Sequence, residues 1–343
     1  MKKIWLSMVT AGTVIKLHVN KNDPFLGAGN EAVLQGHHRR AKLNNKTNRL
    51  IAAVCREINL PALRISVVAI MFLLMLPARS ESGQTTLFEK ETPFQYLRVV
   101  DDAVKGERYL CNKDCNFIQG GISLSKPDTL IIDYMKSAMA GLAYLEGPPR
   151  RMLFIGMGIG AMPRYLAARY PDARMDIVEI DPEVPTVAKQ FFHFTETPNM
   201  RIVIDDGARF VETGQEAYDV IFLDACFGPD IPPQLTGIPF FEKVRARLTE
   251  NGILTANLAA PVLNPGFNNM IRTLCGVFPM MEILSTQNPA NLIVVAGKKS
   301  APDTAIISQR AKAITTDRHF EFDLAPLAGQ LFLYAPCRKF PSP

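Results

Sequence analysis

Gly156, Gly158 and Gly160 separate an apolar run, residues 152–155, from a helix-forming stretch in MLFIGMGIGAMPRYLAARYPDARMDIVEID, residues 152–181. Glycines at this spacing let backbone N–H groups approach a ligand, and the N-terminus of the following helix is electropositive. A second apolar run, residues 175–180, contains Glu179 and ends beside Asp181. These acids lie roughly 20 residues past the first glycine, where an adenosine ribose would present its hydroxyls. Two further apolar runs also end on acids: residues 201–204 at Asp205-Asp206-Gly207, and residues 218–223 at Asp224. Carboxylates so placed can accept hydrogen bonds: Glu179 from ribose hydroxyls, Asp206 from an adenine amino group. Asp224 can take a proton from an incoming nucleophile or attract a cationic centre. Each acid alone also has a structural reading, since Asp after a strand often caps the next helix.

For these groups to meet, the runs must be neighbouring strands of one sheet. Helical stretches over residues 182–192, 208–212, 240–247 and 265–278 alternate with the runs, and residues 253–258 read as a fifth strand. Residues 281–284 and 291–296 read as a closing antiparallel hairpin. Such alternation predicts a mostly parallel, doubly wound sheet, with ligands outside the carboxyl ends of its strands. Ahead of it, residues 88–125 read as a small antiparallel β-domain, with strands over 94–101, 108–111 and 116–118. Lys105-Gly106-Glu107 supplies a turn there and Gly120-Gly121 a break. An amphipathic helix over 133–145 is stopped by Gly147-Pro148-Pro149. The expected organisation is a basic, disordered extension (1–63), an apolar segment (64–80), the β-domain (88–125), a Rossmann-like catalytic domain (126–300), and a C-terminal segment (301–343) made of one helix (304–314) and a loose tail.

The set Phe94-Gln95, Gln119, Gly156–Gly160, Glu179-Ile180-Asp181, Asp206-Gly207 and Tyr218-Asp219-Val220-Ile221 with Asp224 resembles the spermidine synthase (polyamine aminopropyltransferase) family over about residues 88–298. The resemblance implies a methyltransferase-like Rossmann fold behind a small β-domain, and a homodimer. It implies that Gln95, Gly156, Gly158, Gly160, Glu179, Asp206 and Gly207 hold decarboxylated S-adenosylmethionine. Asp224 would deprotonate the attacking amine, and Gln119 would line the substrate site. No metal is implied, because a sulfonium is already an activated leaving group. Two positions depart from the family pattern. Ile159 stands where the glycine loop has an Asp for the amino group of the aminopropyl arm, and Phe227 stands where a second Asp meets the diamine. Seating an ammonium without a carboxylate costs several kcal/mol of desolvation; Asp230 or Asp133 is the expected compensation. Residues 231–236, IPPQLT, resemble the more divergent spermidine-synthase-like branch.

Three other readings share parts of the pattern: a methyltransferase using intact S-adenosylmethionine, an NAD-dependent oxidoreductase, and a non-catalytic nucleoside-binding module. The oxidoreductase arises because residues 156–161 also satisfy GxGxxA. Carboxylates after the later strands suit a sulfonium nucleoside better than a nicotinamide.

Charge excludes one class of partner. Residues 1–64 carry eleven Lys/Arg against three Asp/Glu, a surplus of +8 in a chain whose net charge is +5. The catalytic body is therefore mildly acidic, which argues against nucleic acid. Six scattered cysteines show no zinc spacing and read as unpaired thiols, with a Cys111–Cys115 bridge allowed in an oxidising compartment. Residues 65–76, ISVVAIMFLLML, follow Arg64 and have the length of a signal-peptide core rather than a spanning helix. A translation start past residue 1 or a peripheral apolar helix fits them equally, with membrane contact through 65–77. An adenosyl-sulfonium substrate favours the cytoplasm.

Overall fold

The computed structural model describes residues 83–226, 231–332 and 337, with the backbone of two strands nearer the N-terminus. The chain divides into two units, Met1–Ser80 and Glu81–Pro343. In the first, β1 (Ile4–Thr10) pairs antiparallel with β2 (Thr13–Val19). This departs from the extension expected to lack regular structure: β-branched and apolar residues flank the short Ala11-Gly12 connection, which suits a hairpin. The apolar segment 65–77 lies outside the described residues.

The second unit opens with a four-stranded antiparallel meander of β3 (Gln84–Glu91), β4 (Tyr96–Asp102), β5 (Glu107–Cys111) and β6 (Ile118–Ser123). The strand expected over 94–101 is β4, and β3 ahead of it was not expected from the sequence. Gly120 and Gly121, expected as a break, lie within β6. Side chains there would strike Ile159 and the ring of Tyr109, so the glycines admit close packing instead of ending the strand. Cys111 is bonded to Cys115, and Cys275 to Cys337, which corrects the unpaired-thiol expectation. The loop before β6 brings the first pair to a Cα separation of 5.0 Å, and the chain's return brings the second to 5.3 Å.

After α1 (Asp133–Met139), which continues as a 3-10 turn over Ala140–Tyr144, comes the main sheet. Its parallel strands are β7 (Arg151–Ile155), β8 (Arg174–Glu179), β9 (Met200–Ile204), β10 (Tyr218–Leu223) and β11 (Leu248–Ala259). The helices between them are α2 (Ala161–Arg169), α3 (Glu183–Phe191), α4 (Gly207–Thr213) and α5 (Ile238–Arg247). The helix α6 (Phe267–Val277) then leads into the antiparallel hairpin of β12 (Met280–Ser285) and β13 (Asn291–Gly297). The spatial order is β12-β13-β11-β10-β7-β8-β9. The chain winds outward from β7 to β9 and then returns to β10 on the other side of β7. That reversal opens a crevice at the carboxyl ends of β7 and β10.

The central strands are apolar on both faces because helices cover both. Phe154 and Phe222 stack at 4.8 Å on one face, above α1 and α2, while Ile155, Ile221 and Leu254 pack with α4 to α6 on the other. The C-terminal segment is not a loose tail as far as residue 332, where its continuous description ends. Beyond α7 (Thr304–Asp317) a second helix, α8 (Leu324–Gly329), buries Leu324 and Leu327, and Phe320 and Phe322 pack against Tyr165. A six-residue helix carrying Pro326 shows too little periodicity to be read from sequence. Among the described residues no helix is long and apolar enough to cross a membrane.

Candidate active site

Strand β7 delivers the glycine loop. Gly156, Gly158 and Gly160 all have positive φ, at 93°, 52° and 70°. At Gly156 a second constraint acts: a Cβ there would overlap the carbonyl oxygen of Asp224. The loop after β7 therefore lies directly against the end of β10, and only glycine meets both demands. This contact sets the glycine cradle beside Asp224 in one cleft of about 410 Å³.

At one end of the cleft stands Glu179, the last residue of β8, only 7 % exposed. Its Oε2 accepts from the Met157 N–H at 3.0 Å and its Oε1 from the Asp181 N–H at 3.0 Å. Burial pushes its pKa up, and these backbone donors partly offset that. Each oxygen retains a lone pair, and the residue still lines the cleft. Asp181 has a different job. It is 1 % exposed and accepts from the Thr92 hydroxyl at 2.7 Å and the Glu183 N–H at 3.0 Å, which ties the β-meander to the start of α3.

Asp206 does what a residue before a helix should. Its Oδ1 accepts from the N–H groups of Ala208 at 2.7 Å and Arg209 at 3.3 Å, capping α4. Its Oδ2 accepts from Gln234 at 3.2 Å, and both residues line the cleft with Gly207. Cap and cleft wall are thus the same side chain, so the two readings of this Asp do not compete.

Asp224 follows β10. Its Oδ2 accepts from the Tyr134 hydroxyl at 3.0 Å and its Oδ1 from the Asn257 amide at 2.9 Å. Burial raises its pKa, while the two donors pull the other way. Burial, then the neighbouring Asp224, drives the Tyr134 pKa well above its ordinary value, so the phenol stays protonated and donating. A partly buried carboxylate with a raised pKa and a fixed orientation is suited to accept a proton. The β-meander closes the cleft from above: the Gln119 amide donates to the Gln95 side chain at 2.7 Å, and both line the cavity.

Sequence reasoning therefore located residues that converge: Gln95, Gln119, Gly156, Gly158, Glu179, Asp206, Gly207 and Asp224 all line one cleft, with Gly160 capping α2 beneath it. It missed Tyr134, Gln234, Asn257 and Asn291. Of these only Asn257 left a local trace, as a polar residue in the apolar run of β11. Ile159 does not face the cleft. It is 1 % exposed and packs over Gly120. Asp133, one of two expected compensating acids, pairs with Lys136 at 3.6 Å and is not among the cleft-lining residues, since its side chain lies about 100° around α1 from that of Tyr134. Asp230, the other, and Phe227 lie outside the described residues.

Residues 132–295 match the family model of the spermine/spermidine synthase domain. A polyamine aminopropyltransferase of Vibrio vulnificus (strain CMCP6) is 29% identical over 269 residues, covering 74% of this chain and 86% of that protein. Among solved structures, spermidine synthase from Thermotoga maritima superposes with a TM-score of 0.58 at 18% identity, over 72% of this chain and 84% of the other. Human methyltransferase-like protein 13, solved with SAH, gives a TM-score of 0.51 at 26% identity, over 55% of this chain and 93% of the other. The chain thus matches the spermine/spermidine synthase domain over residues 132–295, and the relatives it resembles there are transferases.

Proposed function

We propose that this enzyme moves the aminopropyl group of decarboxylated S-adenosylmethionine to an amine, with Asp224 as the base. The observation that carries the proposal is the setting of Asp224, held from two sides by Tyr134 and Asn257 and facing the glycine loop across one cleft. The kinship with a polyamine aminopropyltransferase supports the choice of group transferred.

In this reading the adenosine lies along Glu179 and Asp206. Glu179 accepts from the ribose with the lone pairs its backbone donors leave over, and Asp206 accepts from the adenine amino group through Oδ2, in place of Gln234. The acceptor enters as an ammonium and gives one proton to Asp224. The freed nitrogen lone pair attacks the carbon next to sulfur, the C–S bond breaks, and its electrons leave on sulfur as a neutral thioether nucleoside. The product is a secondary ammonium, and Asp224 releases its proton to water. Gln95 and Gln119 bound the substrate end with neutral amides. The family resemblance adds a homodimer to this proposal.

One observation favours a second reading. Where the aminopropyl arm would need a carboxylate, the side chain is Ile159, turned into the core over Gly120. A methyl transfer from intact S-adenosylmethionine to an amine would use the same cradle and the same base without that carboxylate. Isothermal titration with decarboxylated S-adenosylmethionine, S-adenosylmethionine and NAD separates these readings. Tightest binding of the decarboxylated donor is expected. Tightest binding of S-adenosylmethionine selects methyl transfer, and binding of NAD alone overturns both.

A further inference from the structure

We propose that Asn291 is a positioning residue for Asp224, acting through Asn257. The inference rests on the reading of Asp224 as the base.

Asn257 is 8 % exposed, on β11 between the fully buried Ala256 and Leu258. Its amide has two faces of opposite polarity, and a buried amide must satisfy both. One face is dictated by Asp224: a carboxylate accepts, so the NH₂ must point to it, at 2.9 Å. The carbonyl oxygen then points away and needs a donor, which the Asn291 amide provides at 2.9 Å. The register explains the reach. Asn257 lies opposite Ile293 in the antiparallel β11–β13 pair, so Asn291 is its diagonal neighbour on the same face.

Asn291 is in turn anchored at the mouth of the hairpin. The Thr286 hydroxyl donates to the Asn291 carbonyl at 3.0 Å and also to that of Asn288, and the Ala290 N–H donates to the Asn288 side chain at 3.0 Å. The polar chain thus runs from the β12–β13 turn through Asn291 and Asn257 to the Asp224 carboxylate. Without a donor at position 291, the Asn257 amide can rotate by half a turn and present its oxygen to Asp224. A stabilising contact to the charged carboxylate then becomes a repulsive one. The other titratable groups near Asp224 or lining its cleft are Tyr134 from α1, Cys226 on the same loop, Asp205 and Asp206 after β9, and Glu179 at the end of β8, with β7 between it and β10.

The test is a double-mutant cycle on the full chain, read as kcat and as the pH dependence of kcat/KM for amine alkylation. Asn291→Leu should lower kcat about tenfold and shift the acid limb upward by about one pH unit, as expected for losing one oriented donor to a charged group. Asn291→Asp, an acceptor of the same shape, should shift it further, because it holds Asn257 in the reversed orientation. In an Asn257→Ala background neither substitution should have further effect. Donor affinity and melting temperature serve as controls for folding. An unshifted limb, or additive effects in the Asn257→Ala background, overturns the role of Asn291 while leaving that of Asp224. Full turnover by Asp224→Asn in the same assay overturns both.

Discussion

Glu179 is gripped by two backbone N–H groups, from Met157 and Asp181, whereas Asp224 is gripped by two side chains, Tyr134 from α1 and Asn257 from β11. Both acids end strands of one sheet, both are desolvated, and both have raised pKa values. The difference lies in what fixes them. Backbone donors come with the loop conformation and survive most substitutions nearby. Side-chain donors arrive from elements distant in sequence and can be altered singly. In the proposed reaction the end of the cleft at Glu179 is therefore a rigid cradle, and the end at Asp224 is the part whose acidity and aim are adjustable.

The contrast is broken most severely by Asp224→Asn. Turnover should fall by about 10³-fold, within the range for loss of a general base, with donor affinity changed less than about twofold in titration. The amide can accept from Asn257 and donate to the Tyr134 oxygen, so folding is preserved. The sign of the pH effect follows from the raised pKa. Folded Asp224 holds its proton to higher pH than the unfolded chain does, so stability declines as pH rises from the ordinary aspartate value through the raised one. Melting curves of the variant should lack that decline.

Next in size is Ile159→Asp. Restoring the family's acid would bury a charge over Gly120 and not in the cleft, costing about 3 kcal/mol or more. Chemical denaturation should show the loss, with no gain in donor affinity; a tighter-binding, equally stable variant would mean that Ile159 faces the substrate. Glu179→Gln should weaken donor binding by about tenfold or more while leaving kcat at saturation nearly unchanged, since one amide oxygen cannot serve the Met157 N–H, the Asp181 N–H and a ribose. Calorimetry and saturation kinetics separate the two quantities. The smallest effect is expected from Tyr134→Phe. Losing one donor should raise the Asp224 pKa further, move the acid limb of kcat/KM upward, and reduce neutral-pH turnover by about tenfold or less.

The same contrast explains what the sequence disclosed. Glycine spacing and an acid at each strand tip are local patterns imposed by the βα turn itself, so the cradle at Gly156–Gly160, Glu179 and Asp206 was legible, as was the order of strands and helices behind it. Tyr134 and Asn291 were not. They lie 90 and 67 positions from Asp224, and nothing local distinguishes a tyrosine in an amphipathic helix or an asparagine beside a turn. Ile159 was legible as a departure from the family pattern, but its destination was not, because the space it fills is created by Gly120 on another sheet. For the same reason Gly120-Gly121 looked like the end of a strand. The buried helix α8 was hidden by its brevity.

The central claim is that Asp224 drives alkylation of an amine by an adenosyl sulfonium. It is tested most directly by a single turnover of the full chain with decarboxylated S-adenosylmethionine and a primary-amine acceptor, reading the acceptor by mass spectrometry. An acceptor heavier by one aminopropyl group, formed with one equivalent of thioether nucleoside and abolished in Asp224→Asn, is the predicted result. Bound donor that alkylates no amine, in the wild type as in the variant, would contradict it.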